Sequence, residues 1–203
     1  LNGLTTLSDA AAESLGKCQH ELNLNGVESL SDGAAESLSM HTGTLIYLNG
    51  LTSLSDGPGH IALAERLSKH EGDLYLHNLT ELSDVASDSL SKHEGNLYLN
   101  GLTELTDVAA ESLSKHKGGL VLIGLTELSD VASENLSKHK GGFLFLNGLT
   151  KLSDAGAESL GKHDGQIELD GLTESAAEIF QRYSSTLTLT KARLFASDEY
   201  AVT

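Results

Sequence analysis

One histidine recurs in each of seven repeated segments, and imidazole is the side chain that both ligates transition metals and titrates near neutral pH. No second ligand type accompanies these histidines, and the chain has no C-x-x-C or H-E-x-x-H pattern, so we expect no metal site. Each one stands where a helix should end. We therefore expect a buried, neutral ring that fills this corner and bonds to a terminal carbonyl. The series is His20, His41, His70, His93, His116, His139 and His163.

Aspartate recurs in the same way, each time directly after a serine or threonine. A row of carboxylates could attract calcium, but calcium usually needs six or more oxygen ligands around one point. A hydroxyl followed by a carboxylate is favoured where a helix begins, because unpaired N–H groups and the positive dipole end lie there. We expect these residues to cap helices: Asp9, Asp32, Asp56, Asp84, Asp107, Asp130 and Asp154.

A third series is aromatic or apolar in its middle and polar at its ends. Each member stands between two leucines or isoleucines in an L-x-L segment, and this two-residue period predicts a strand whose variable residue faces outward. If the strands stack in register, the middle five form a stripe about 20 Å long. The series is Asn23, Tyr47, Tyr75, Tyr98, Val121, Phe145, Glu168 and Thr188.

This stripe is the best candidate for a ligand-binding surface, since aromatic side chains are favoured at interface hot spots. The alternative is that aromatic residues favour strands and pair across them whatever the function. Neighbouring outward positions, His77, Asn96, Asn100, Ile123 and Phe143, would widen the surface. The predicted binding residues are Tyr47, Tyr75, His77, Tyr98, Val121, Ile123, Phe143 and Phe145.

Nothing in the sequence indicates an enzyme. Serine and histidine recur in every segment, so no nucleophile and base are singled out, and the glycines are not clustered into a phosphate-binding loop. We therefore predict a non-enzymatic protein without a cofactor.

The elements that position these residues come from a unit of about 23 residues that repeats along the chain. Each unit predicts a short strand, an Asn-Gly turn and a helix of about ten residues that starts at the Ser-Asp pair. One unit cannot bury its leucines alone, so residues 1–203 should form a single array of about eight coils. The leucine after the turn marks the units at Leu4, Val27, Leu51, Leu79, Leu102, Leu125, Leu149 and Leu172.

The pattern L-x-L-x-x-L-x-x-L resembles the leucine-rich repeat family, in particular bacterial members with helical convex sides. It is clearest at residues 74–76, 97–99, 120–122 and 144–146, but the buried asparagine of that family is replaced by leucine here. The resemblance implies an α/β fold. It would be a right-handed solenoid with a parallel sheet on the concave side, helices on the convex side, and a protein ligand in the concavity.

Two breaks interrupt the repetition. Residues 57–61 are an insertion that we expect to bulge from the rim before a helix beginning near Ala62, where Pro58 and His60 could touch a partner. A tolerated surface insertion would look the same. The last unit, 173–203, is degenerate and should form a cap, with Tyr183 in the histidine position and a helix-entry signal at 196–201.

The composition argues against nucleic acid and membrane as partners. A formal charge of −16 repels nucleic acid, and we expect no basic stripe to offset it. Cys18 is the only cysteine, so no intrachain disulfide can form. No apolar stretch approaches the roughly 20 residues of a membrane helix, so we expect no membrane insertion. The start at Leu1 suggests a piece of a longer protein, and the cellular compartment stays open.

Together these features predict a scaffold that binds a protein or peptide through its aromatic stripe. The leading alternative is a structural or cell-surface spacer that self-associates through its repeat ends. Carbohydrate binding is a third possibility, because tyrosine can stack on sugar rings.

Overall fold

In the computed structural model, residues 3–43 and 45–183 are described, and they form short strands that alternate with helices. The helices are α1 (Asp9–Gly16), α2 (Asp32–Ser39), α3 (Pro58–Leu67), α4 (Asp84–Leu90), α5 (Asp107–Ser114), α6 (Asp130–Ser137), α7 (Asp154–Gly161) and α8 (Glu174–Tyr183). The strands are β1 (Leu22–Asn23), β2 (Ile46–Tyr47), β3 (Ser53–Leu54), β4 (Leu74–Tyr75), β5 (Glu81–Leu82), β6 (Leu97–Tyr98), β7 (Leu120–Val121), β8 (Phe143–Phe145) and β9 (Gln166–Glu168).

The strands pair in parallel, with equivalent residues of successive units side by side. Five of them form one sheet in the order β4-β6-β7-β8-β9, in which Tyr75 pairs with Tyr98 and Val121 with Phe145. Strands β1 and β2 form a separate pair, as do β3 and β5. The chain is thus an α/β protein with a repeating architecture and a parallel sheet.

Leucine fills the core, as the two-residue and helical periods predict. Leu97 and Leu99 of the β6 segment are fully buried, and Leu102 after the turn is 1% exposed. Helix α5 contributes Ala110 and Leu113 to the same core, and consecutive helices pack against one another along the chain. The leucines that stand at the family's asparagine position are all buried in this core: Leu79, Leu102, Leu125 and Leu149.

The helix starts are linked from one unit to the next. Ser129 is the N-cap of α6, and its Oγ accepts a hydrogen bond from the Ala132 N–H at 2.9 Å. The same hydroxyl donates to the Asp107 carboxylate of the preceding unit. The serine or threonine is therefore the cap, while the aspartate next to it receives the hydroxyl of the following unit. Equivalent pairs join Ser31 to Asp9, Thr106 to Asp84, and Ser153 to Asp130.

Replacing Ser129 with alanine should lower the free energy of unfolding by about 1–2 kcal/mol, because the change removes both a helix cap and a link between units. Ser137→Ala is the matched control, since the Ser137 hydroxyl bonds only within its own helix, to the Glu134 carbonyl. Urea denaturation measures both. Equal losses in the two variants would contradict the inter-unit link.

The predicted rim bulge at residues 57–61 is wrong. These residues start helix α3 at Pro58, four residues earlier than expected, because proline has the φ of a first helical turn and Gly57 serves as N-cap. The Asp32 carboxylate from the preceding unit accepts the Gly59 N–H at 2.8 Å and the His60 N–H at 3.3 Å. An aspartate of the neighbouring unit thus completes this cap in place of a serine.

His60 is consequently unavailable to a partner. Its ring is 6% exposed, Nδ1 accepts from the Ser55 N–H at 3.1 Å, and Nε2 lies 3.1 Å from the Leu30 carbonyl. Pro58 is exposed at the start of α3. The insertion therefore lengthens helix α3 and joins it by hydrogen bonds to the preceding unit. His60 is a structural residue.

The expected cap at 173–203 is described only as far as α8. The outward position Thr188 and the helix-entry signal at 196–201 lie outside the described residues. Within residues 3–43 and 45–183, no helix combines the length and the apolar character that a membrane crossing requires.

Candidate binding surface

The candidate site lies on one face of the five-stranded sheet. Side chains alternate along a strand, so the residue between two buried leucines and the residues just outside them point away from the core. Each of the five strands contributes three such positions, and we call these fifteen residues the outer face. They are Asp73, Tyr75, His77, Asn96, Tyr98, Asn100, Gly119, Val121, Ile123, Phe143, Phe145, Asn147, Gln166, Glu168 and Asp170.

Three aromatic rings gather at one end of the outer face. Tyr75 and Tyr98 stack with their centroids 4.6 Å apart, and the His77 ring lies 5.4 Å from Tyr75 and 6.0 Å from Tyr98. Tyr75 is 37% exposed, and its hydroxyl donates to the Asp73 carboxylate at 3.4 Å. Burial, followed by the negative charge of Asp73, raises the pKa of the Tyr75 phenol. These rings form an accessible, partly ordered apolar surface.

A second aromatic pair lies two strands away. Phe143 and Phe145 stack at 4.4 Å, and both are half-buried. Phe143 lies across Gly119 of the neighbouring strand, where a Cβ at position 119 would collide with the ring. Because Gly119 has no side chain, the Phe143 ring lies flat against the sheet at this position.

The region between the two aromatic groups is only partly accessible. Val121 is 5% exposed, so its predicted role as a contact residue needs correction: it supports the surface from below, between the larger residues Tyr98 and Phe145 on either side. Ile123, next along the same strand segment, is 40% exposed. The apolar surface between the aromatic groups is therefore provided by Ile123.

Tyr47 lies outside the five-stranded sheet that carries the other predicted binding residues. It lies in the two-stranded sheet of β1 and β2, which is not hydrogen-bonded to β4. Its ring makes an edge contact with His70, with centroids 6.0 Å apart. The longer unit that contains α3 separates β2 from β4, and the aromatic series in the five-stranded sheet accordingly begins at Tyr75.

The histidines form the buried row that the sequence predicts, except for exposed His20. The last four are nearly parallel, with successive centroids 6.2–6.3 Å apart. In His93, His116 and His163, Nδ1 faces a carbonyl of the preceding unit, at 3.2 Å from the Ser91 oxygen in the case of His116. In the described part of the chain, no three histidine, cysteine or acidic side chains converge as a metal site would need.

Burial lowers the pKa of four of these rings. Loss of solvent, followed by the charges of His116 and His163, lowers the pKa of His139 to about 4. Loss of solvent is also the main cause that lowers the pKa of His41, His70 and His116. These four rings therefore resist protonation in the folded state.

In the described part of the chain, every lysine and arginine except Lys151 lies within a helix or shortly after the end of one. Five lysines form exposed ion pairs with a carboxylate four residues earlier, for example Lys115 with Glu111 at 3.1 Å, and such pairs stabilise helices weakly. At the ends of α5 and α6, four lysines line one pocket together: Lys115, Lys117, Lys138 and Lys140. Two of these lysines are paired with glutamates, Lys115 with Glu111 and Lys138 with Glu134, so the pocket is a local group and not the basic stripe that the sequence argues against.

Five members of the outer face were not predicted from the sequence: Asp73, Gly119, Asn147, Gln166 and Asp170. The two-residue alternation extends one step beyond each leucine pair, and following it in every unit would have found them. Asn147 Nδ2 donates to Glu168 Oε2 at 3.3 Å and to Asp170 Oδ2 at 2.9 Å, so these polar residues form one connected group.

Comparison with known proteins adds no assignment: no protein-family model matches this chain, and no curated protein does either.

Proposed function

We propose that the chain is a right-handed solenoid of the leucine-rich repeat type whose concave face binds a protein or peptide. Two features support the architecture. Equivalent strands pair in sequence order with a helix between them, and such parallel crossovers are right-handed in nearly all proteins. The leucines of the L-x-L-x-x-L pattern form the core, as that repeat requires. In this arrangement, the outer face is the concave face.

The observation that carries the binding proposal is the Tyr75–Tyr98 stack on an in-register sheet. Aromatic rings held by strands offer contact area without a large loss of side-chain entropy on binding. His77 lies against both rings, and Ile123 continues the apolar surface toward the Phe143–Phe145 pair. A surface of this composition matches the centre of a protein interface, where tyrosine is enriched and charged residues are depleted.

Replacing both Tyr75 and Tyr98 with alanine should abolish peptide binding while the fold is retained. Each is expected to contribute about 2 kcal/mol, roughly a 30-fold change in Kd. Selection from a phage-displayed library of random linear peptides would supply the ligands, and calorimetry with the selected peptides would give the affinities.

The matched control is Val85→Ala with Val108→Ala, which truncates two apolar residues that are 47% and 53% exposed on the helical side. This control should bind the selected peptides like the parent protein. Equal binding by the tyrosine variant and the control would reject the outer face as the site and favour the spacer alternative.

A further inference from the structure

The outer face carries negative charge and no positive charge. Its fifteen positions include the carboxylates Asp73, Glu168 and Asp170, and none of them is lysine or arginine. The described part of the chain nevertheless contains eleven lysines and arginines, all at other positions: Lys17, Arg66, Lys69, Lys92, Lys115, Lys117, Lys138, Lys140, Lys151, Lys162 and Arg182. Apart from His77, every ionisable group on this face other than the tyrosine phenols is therefore a carboxylate.

Two of the carboxylates lie beside the Phe143–Phe145 pair. Phe145 pairs with Glu168 across β8 and β9, so the carboxylate and the ring are nearest neighbours on one face. The Asn147 amide donates to both Glu168 and Asp170, and Gln166 Nε2 lies 3.4 Å from Glu168 Oε1. These amides hold two like charges side by side, although the charges repel each other.

The third carboxylate lies beside the tyrosine pair at the other end of the sheet. Asp73 Oδ1 accepts the Asn96 N–H at 3.1 Å, while Oδ2 faces the Tyr75 hydroxyl. The carboxylate is thus anchored at the edge of the aromatic cluster. Each end of the outer face therefore has the same combination, an aromatic pair with an adjacent carboxylate.

This combination suits cations. The face of an aromatic ring attracts ammonium and guanidinium groups, and a carboxylate next to the ring adds a charged hydrogen-bond acceptor. An acidic partner would be repelled both by these carboxylates and by the formal charge of −16 of the whole chain. Opposite charge across an interface also speeds association and excludes wrong partners.

We propose that the outer face recognises a cationic peptide segment, in which apolar residues contact Ile123 and the rings while a lysine or arginine at each end pairs with a carboxylate. This inference rests on the peptide-binding function proposed above. From Asp73 beside β4 to Glu168 in β9 there are four strand spacings, about 19 Å. An extended peptide crossing the strands covers that distance in roughly six residues, which sets the separation of the two cations.

The test uses the displayed random-peptide library with the whole chain. The selected peptides should carry lysine or arginine well above the library frequency, in pairs about six residues apart with apolar residues between them. The variant Glu168→Gln with Asp170→Asn should bind these peptides about tenfold more weakly and with a smaller dependence on salt. The control Glu65→Gln with Asp56→Asn makes the same two changes at exposed positions around α3, and should leave Kd unchanged.

The outcomes separate the two proposals. Peptides that bind through Tyr75 and Tyr98 but lack cationic enrichment, or that bind the Glu168→Gln/Asp170→Asn variant unchanged, overturn the cationic inference and leave peptide binding in place. Selection of no peptide, or of peptides that bind the tyrosine variant equally well, overturns both. Circular dichroism of each variant confirms that a loss of binding is not a loss of fold.

Discussion

Replacing Gly141 with alanine should destabilise the protein by at least about 3 kcal/mol, at or above the upper end of typical overpacking costs. A Cβ at this position would fall on the carbonyl oxygen of Gly118 in the preceding unit, and would lie 2.6 Å from His139 Nε2. The first obstacle is backbone, which cannot rotate away as a side chain can. Relief therefore requires the two units to separate, and that opens the leucine core between them.

The adjacent Gly142 provides a matched control. The nearest atom to a Cβ there is the Gly119 nitrogen at 3.8 Å, an ordinary contact distance. Gly142→Ala should be neutral or slightly stabilising, because alanine restricts the unfolded chain more than glycine does. Urea denaturation of both variants gives the comparison. Similar stabilities would show that the spacing between these units is not fixed by Gly141.

Acidification should destabilise the folded protein, with His139 as the largest identified contributor. Its pKa is about 4 in the folded state against 6.5 for an ordinary histidine. The unfolded chain therefore takes up the proton first as the pH falls. The stabilisation from the neutral ring is complete above about pH 6.5 and is lost progressively toward pH 4. A shift of this size corresponds to a loss on the order of 3 kcal/mol.

Three further histidines should also make the protein less stable as the pH falls, because burial lowers the pKa of His41, His70 and His116. The free energy of unfolding, measured by urea denaturation at several pH values, should fall steeply across this window. In His139→Gln the fall should be smaller by the contribution of that ring. His20→Gln, the same substitution at an exposed histidine outside the buried row, is the control. A stability that stays constant from neutral to mildly acid pH would refute the buried neutral row.

The fold within a unit could be predicted because its causes are local. Alternation at Leu97-Tyr98-Leu99 predicts the strand, and Thr106-Asp107 predicts the start of the helix, which the structure confirms at Asp107. These features depend on residues a few positions apart. They recur in every unit, so each repetition supports the same interpretation.

The contacts between units could not be predicted in the same way. His60 is buried because Asp32, 28 positions earlier, completes the cap of α3. Phe143 lies flat because Gly119 of the neighbouring strand has no side chain. Tyr47 lies outside the five-stranded sheet because, across the longer unit, β3 and β5 pair and β2 and β4 do not. Each depends on which residues become neighbours in successive units. The markers Leu51 and Leu79 are 28 residues apart, whereas the other markers are 23 or 24 apart, and this difference changes the alignment.

Four cap hydroxyls donate to the aspartate of the preceding unit, and these bonds give the repeat a direction: those of Ser31, Thr106, Ser129 and Ser153. A unit that carries both the serine or threonine and the following aspartate has a hydroxyl donor for one neighbour and a carboxylate acceptor for the other. Such units can therefore be exchanged, added or removed without leaving a donor or acceptor unpaired. The third unit is the exception: Gly57 has no hydroxyl, and Asp32 binds the backbone of α3 instead. Units of the common type can thus be duplicated within the array, whereas the third unit must follow the unit that contains Asp32.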